Sequence, residues 1–588
     1  MLQFLKAVGA TIVGLILFSV LMLIVGGAII GAIASRDQEV EVKDNTVLHL
    51  KLDKPIVERA NDDDISALDA IPGISAGNIG LIEVIDAIKH AREDDRIKGI
   101  LLQPQYVRAG YASLKEIRDE LGRFKESGKW IYAYNEQYTE KDYYLASVAD
   151  KIYLNPAGNL ELNGLVSEQV FVKGTLEKLG VEPQIFRVGE FKSAVEPLIR
   201  NDMSEASREQ TNSFLNNIYQ TFLREVSQSR NIEVNELERI SDEMLVRRAE
   251  DALKYKIVDE LGYLDQIHAE MRNILGIEDD TEKINTIGYK KYRKAFKPGG
   301  SGSDRVAVIV ATGDIISGSG DKESIGSDKF AKLIRDARLN DRVKAVVLRI
   351  NSPGGSALAS DVIWREVILT SQTKPIIASM SDLAASGGYY MAMGCDTIVA
   401  QPNTITGSIG IFGVLFNAQE FMTDKLGITT DVVQTGELSN LYRVTRPLSP
   451  YERSIIQLSV EEGYDSFTRK AAEGRNMSVE QLREVASGRV WSGLEAKDRG
   501  LVDILGGLDD AVKIAAGKAG LEEGNYRLRY YPEKKSFLEE LFGNLEEDME
   551  TKALQREFGV FYPYVKQFQK LQRFEGVQAR LPYELVIE

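Results

Sequence analysis

The sequence predicts an α/β protein: two tandem copies of one domain behind an apolar N-terminal helix. Three observations predict this. Short apolar strands alternate with amphipathic helices, the chain repeats itself at an offset of 246 residues, and Ala7 to Ser35 is a 29-residue stretch without a charge. Strands that alternate with helices imply largely parallel pairing, with helices packed on the sheet.

The charge-free stretch comes first in the chain. About 20 apolar residues span a bilayer core, and a secretory signal has an apolar core of only about 7–15. Residues 1–36 therefore read as a retained single-pass membrane anchor, although Ala32-Ile33-Ala34 resembles a cleavage site. Lys6 flanks the stretch on one side, and Arg36 and Lys43 on the other. That balance specifies orientation only weakly.

The repeat comes next. Ile79 to Leu102 matches Ile325 to Leu348, with Gly80 on Gly326 and Asp95 on Asp341. The match continues through Tyr143-Tyr144 on Tyr389-Tyr390, Asp150 on Asp396 and Val258-Asp259 on Val502-Asp503. Order kept over this length indicates a duplicated domain rather than a short-period solenoid. Each copy opens on a β-rich run (Thr46–Leu52; Val306–Ala311), followed by an amphipathic helix and a strand (Gly99–Leu102; Ala345–Ile350). A further helix and strand follow (Trp130–Tyr134; Ile376–Ser379). The boundaries drawn are a first repeat at 37–282, a linker at 283–303, a second repeat at 304–520 and a charged, aromatic tail at 521–588. The tail carries no recognisable chemistry; packing or assembly is its expected role.

Composition narrows the function. A net charge of −16 argues against a nucleic-acid binder. The single cysteine, Cys395, allows neither an intrachain disulfide nor a cysteine zinc cluster. No cofactor and no metal are expected. There are only three histidines, His49, His90 and His268, and none lies on the strand-end turns where an α/β domain meets its ligands.

Two such turns stand out in the second repeat. Asn351-Ser-Pro-Gly-Gly355 follows one strand, and its glycines allow close backbone approach and can present amides to a carbonyl. Asp382 to Ala392, DLAASGGYYMA, places Ser386 at a helix start with the Gly387 amide beside it. That arrangement suits a nucleophile, with Gly387 and Gly354 or Gly355 as an oxyanion hole. A helix-capping serine and ordinary turn glycines remain the alternative. The first repeat has Glu140 where the second has Ser386, and Gln103 to Tyr106 where the second has the glycine turn. It has in exchange Lys192, set among Phe191, Ala194, Val195 and Pro197, where the second repeat, by then one residue later in register, has Ser439. Burial would lower a lysine from about 10.4 toward the range of a base. A serine–lysine pair split between the copies fits the scarcity of histidine.

With these residues in view, the chain resembles the long, duplicated form of the signal peptide peptidase A (protease IV) family. The motifs are VGEFKSAVEPLIRNDMS at 188–204, NSPGG at 351–355, LAASGGYY at 383–390, ITGSIGIFG at 405–413 and GRVWSGLEAKDRGLVD at 488–503. The resemblance implies two crotonase/ClpP-like domains, each a β-superhelix of ββα-type units with outer helices. It implies a serine protease with Ser386 as nucleophile, Lys192 as general base and Ser408 orienting the lysine. Substrates would be signal-peptide fragments and other apolar peptides. The resemblance also implies a homotetramer anchored in the cytoplasmic (inner) membrane, its catalytic body on the extracytoplasmic side. Two other readings stay open: a crotonase-like enzyme acting on an acyl thioester, and a non-enzymatic membrane scaffold.

Overall fold

The computed structural model describes residues 6, 9, 11–22, 40–60, 77–279, 281–296, 302–321, 323–534 and 577–581. Residues 11–22 are helical. Among the described residues no helix is long and apolar enough to cross a membrane. The rest of the expected anchor lies outside them, as do residues 297–301 of the linker and most of the tail.

Each repeat builds a sheet, to which the linker adds the edge strand Thr286–Gly288 and the tail the edge strand Arg527–Tyr531. In the first, the spatial order is Glu260–Leu261, Lys151–Leu160, Trp130–Tyr138, Ile97–Pro104, Thr46–Leu52, Thr286–Gly288, with every neighbour parallel. In the second it is Val490–Ser492, Ile405–Gly407, Ile376–Ala385, Val343–Ser352, Arg305–Thr312, Arg527–Tyr531. Only the Val490–Ser492 strand runs antiparallel to its neighbour on that path. Strands covered on both faces need near-continuous apolar runs. Val343–Ser352 supplies one, with Ala345 to Ile350 all buried. Helices Leu81–Glu93 and Ser327–Leu339 occupy the same place in the two repeats, each entered from a glycine, Gly80 or Gly326.

The duplication extends to single hydrogen bonds. Tyr143 Oη donates to Ile257 O at 2.9 Å, and Tyr389 Oη to Leu501 O at 3.0 Å. Asp259 accepts from Ile152 N–H at 2.8 Å, and Asp503 from Ile398 N–H at 2.7 Å.

The repeats are locked together by buried charge. Arg349, fully buried on a second-repeat strand, donates to Glu58 at 2.8 Å and Glu116 at 2.6 Å, both from the first repeat. It also donates to Ser379 and Ser381 at 3.0 Å. Asp382 accepts from the Ser113 amide at 2.8 Å.

A third sheet, unforeseen from the sequence, mixes the copies. Its order is Ser324–Gly326, Asp314–Ile316, Gly354–Ser356, Val577–Arg580, Ile411–Asn417, Glu182–Val188. The last of these strands comes from the first repeat and pairs antiparallel with Ile411–Asn417 of the second. The tail contributes Val577–Arg580, antiparallel to both Gly354–Ser356 and Phe412-Gly413.

Candidate active site

The third sheet delivers Lys192. Strand Glu182–Val188 ends at Gly189, whose positive φ of 102° lets the chain turn back, and Phe191 N–H then bonds Ser487 O at 3.0 Å. The lysine stem crosses two glycines of the second repeat. A Cβ on Gly488 would lie 2.6 Å from Lys192 Cβ, and one on Gly410 would lie 3.2 Å from Lys192 Cδ. Gln210 braces the turn, its Nε2 donating to Phe191 O at 3.1 Å and to Ser193 Oγ at 2.9 Å.

Lys192 is 0% exposed, as are Ser386 and Ser408. Lys192 Nζ donates to Ser386 Oγ at 2.8 Å, to Ser408 Oγ at 3.0 Å and to Ser408 O at 3.1 Å. Burial alone pushes the amine well below its usual 10.5. No carboxylate contributes to hold its proton.

Ser386 follows strand Ile376–Ala385 and precedes the short helix Gly387–Ala392. Its backbone sits at φ 54°, ψ −110°, outside the regions side-chain-bearing residues favour. Such conformations persist where the surroundings over-determine them, here through Ser386 N–H to Gly407 O at 2.8 Å and Tyr390 N–H to Ser386 O at 2.8 Å. The hydroxyl makes no capping bond to its helix. Other serines do cap their helices: Ser449, Ser478 and Ser492, for example, each close a capping box. Ser408 shares the positive φ, at 51°.

The glycine turn approaches from the other side. A Cβ on Gly354 would lie 2.7 Å from Gly387 N and 2.1 Å from Ala579 O, so only glycine, here at φ 100°, fits. Gly354 N–H donates to Ser352 Oγ at 3.1 Å, a partner the sequence did not indicate. Gly355 sits between strands, opposite Ile315 and Ala579. Gly387 opens its helix, and the first amides of a helix have no partner within it.

The groove beside these amides holds the tail strand. Ala579 is fully buried in it, Leu581 N–H donates to Pro353 O at 2.7 Å, and Arg580 pairs with Asp314 at 3.0 Å. Sequence reasoning missed Asp314 and Gln210, which carry no motif of their own; Ser352 and Gly488 lay inside quoted motifs without being singled out.

The first-repeat counterparts are built differently. Glu140 is buried, its carboxyl accepting from Asn163 and Gly164 amides at 2.9 and 2.8 Å, and burial raises its pKa. Ser439, the counterpart of Lys192, is exposed and donates to Gly436 O at 2.8 Å. The histidines serve elsewhere: His49 bonds Gln103 at 2.6 Å, and His90 stacks on Phe296 at 3.8 Å.

The sequence pattern of Peptidase family S49 matches twice, over residues 123–278 and 368–522, once in each repeat. Protease 4 of Salmonella typhi is 39% identical over 468 residues, covering 78% of this chain and 75% of that protein. The chloroplastic serine protease SPPA of Arabidopsis thaliana is 37% identical over 451 residues, covering 75% and 66%. Among solved structures, a mutant of the 1510-N membrane-bound stomatin-specific protease, in complex with a substrate peptide, aligns at 17% identity and a TM-score of 0.27. That alignment covers 42% of this chain and 99% of that one.

Proposed function

Since this chain belongs to peptidase family S49 and is a serine protease, we propose that it cleaves peptide bonds with a dyad of Ser386 and Lys192. One observation carries the reading: a lysine stripped of solvent and of counter-ions lies 2.8 Å from a strained serine hydroxyl that caps nothing. The expectations of a thioester enzyme and of a non-enzymatic scaffold give way to the peptidase family.

In this mechanism the neutral Lys192 amine takes the Ser386 proton as Oγ attacks the carbonyl carbon. Ser408 accepts from Nζ and fixes its direction. The oxyanion is received by Gly387 N–H and by Gly354 N–H, which exchanges its bond to Ser352 Oγ for the new one. The lysine ammonium then protonates the leaving amine, and water, deprotonated by the same amine, resolves the acyl-enzyme.

The tail strand supports an extended peptide as substrate. Gly354–Ser356 on one side and Phe412-Gly413 on the other already hold one strand through backbone pairing, the mode of β-strand addition. We assign the chain as two peptidase repeats, 37–282 and 304–520, joined by 283–303, with 1–36 as anchor and 521–588 as tail. Its proposed substrates are signal-peptide fragments and other apolar peptides at the inner membrane, met by a homotetramer whose body is extracytoplasmic. A fluorophosphonate probe tests the site: the expected adduct is on Ser386 and is absent from Ser386→Ala. An adduct on another serine contradicts the assignment.

A further inference from the structure

Three strands of the third sheet place one residue each in a single row. Ile315 lies opposite Gly355 in the parallel pairing of Asp314–Ile316 with Gly354–Ser356, which sets Asp314 beside Gly354. Gly354 in turn lies opposite Arg580 of the tail strand. Side chains in one row across a sheet share a face. Gly354 has no side chain, so nothing on the middle strand stands between the outer two. Arg580 reaches across it, and its Nη2 meets Asp314 Oδ1 at 3.0 Å. Both side chains are shielded from solvent, with 10% of Arg580 and 12% of Asp314 exposed.

The tail strand also shows where that row falls relative to the reaction centre. The Ala579 carbonyl oxygen lies 2.1 Å from where a Cβ on Gly354 would stand, and 2.9 Å from where one on Gly387 would stand. Ala579 thus sets its carbonyl beside the two glycines proposed for the oxyanion hole, and it is fully buried there. In a peptide lying along the same path, the residue in the place of Ala579 presents the carbonyl that Ser386 attacks. The residue in the place of Arg580 follows the cleaved bond and carries the leaving amine.

We infer that Asp314 is a specificity-determining residue, which selects peptides with arginine or lysine immediately after the cleaved bond. The inference rests on the reading of Ser386 and Lys192 as the dyad. It adds one basic residue, at a fixed place, to the apolar peptides proposed as substrates. When a peptide takes the place of the tail strand, Asp314 loses its partner at 3.0 Å. A carboxylate shielded from water is costly without a cation, and a basic side chain on the incoming strand restores one. A neutral side chain there leaves the acid unpaired. An acidic one sets two carboxylates together, so discrimination works through repulsion as well as attraction.

Quenched peptides that copy Val577 to Leu581, with arginine, methionine or glutamate in the fourth place, test this on the full-length protein. The arginine peptide is expected to be cut between its alanine and its arginine, read by mass spectrometry. Its kcat/KM is expected to exceed that of the methionine peptide by roughly 10–100-fold, the worth of a charged hydrogen bond, with the glutamate peptide slowest. The peptides compete with the same tail strand, so its occupancy divides out of their ratio. In Asp314→Asn the preference for arginine over methionine is expected to vanish. In Asp314→Lys the glutamate peptide is expected to become the fastest. A parent that cuts all three alike, cuts them at another bond, or cuts none while still forming the fluorophosphonate adduct on Ser386 overturns the inference. An arginine preference retained in either variant overturns it as well. Failure of the dyad reading shows separately, as turnover of all three peptides that survives Ser386→Ala.

Discussion

Lys192 Nζ donates a 2.8 Å hydrogen bond to Ser386 Oγ across 194 residues of sequence. The amine comes from the first repeat and the hydroxyl from the second. The strand pairing of Glu182–Val188 with Ile411–Asn417 closes that distance within one chain. The proposed chemistry depends on this closure.

Removing either atom is expected to end peptide hydrolysis. Ser386→Ala and Lys192→Met should each lose turnover by roughly 10⁴-fold or more, measured on purified, folded protein with a quenched peptide. A Lys192→Met enzyme within tenfold of the parent contradicts the dyad.

The lysine also sets a pH dependence of stability. Its folded pKa is depressed below the unfolded value of about 10.4. Between the two values the unfolded chain binds the extra proton, so stability rises with pH across that window. The parent's melting temperature, relative to that of Lys192→Met, should therefore climb from pH 7 to pH 10. A difference that stays constant over that range counts against a buried amine.

Ser408 is expected to act as a positioning residue. Its Oγ accepts from Nζ at 3.0 Å, and Ser408→Ala leaves Nζ the Ser408 carbonyl at 3.1 Å and Ser386 Oγ at 2.8 Å. A hydrogen bond to a charged group is worth about 1.5–3 kcal/mol, so kcat should fall by roughly 10–100-fold with KM little changed. Loss of an acceptor favours the neutral amine, so the pH–rate midpoint should also move down. A fall in activity with an unmoved midpoint would mean that the serine serves structure alone.

If the proposed substrate adds as a strand, it competes with the tail strand between Gly354–Ser356 and Phe412-Gly413. Arg580→Glu places a carboxylate against Asp314, whose partner it had been at 3.0 Å. The expected result is a several-fold lower KM for short peptides, and an unchanged KM speaks against competition. Gly354→Ala should abolish turnover in either background, because its Cβ would meet Ala579 O at 2.1 Å and Gly387 N at 2.7 Å.

The junction of the repeats should be sensitive to one cation. Arg349→Met leaves Glu58 and Glu116 buried without their partner. Breaking a buried pair this way costs about 3–5 kcal/mol, read as a fall in the denaturant midpoint. A midpoint shift worth under about 1 kcal/mol would show that water reaches the cluster.

Much of this was legible in the sequence because duplication made the chain its own comparison. Helices Leu81–Glu93 and Ser327–Leu339 start and stop at the 246-residue offset. Glu140 in place of Ser386, and Ser439 in place of Lys192, singled out the two residues that the fold sets side by side. The third sheet was not legible. Gly354–Ser356 is three residues long with two glycines, so it has no strand pattern to read. The capture of Gly354 N–H by Ser352 Oγ depends on a backbone turn that residue types do not specify. The crossing of Glu182–Val188 onto Ile411–Asn417 is a long-range choice of edge, and alternation within either segment is silent about it.

The most direct test of the central claim is the rate at which a fluorophosphonate modifies Ser386 as a function of pH, in the parent and in Lys192→Met. The account predicts a rate that rises through a single ionisation well below the usual lysine value, and a slow profile without that ionisation in the variant. Equal rates in the two proteins, or a parent profile flat from pH 6 to pH 10, would contradict a lysine base.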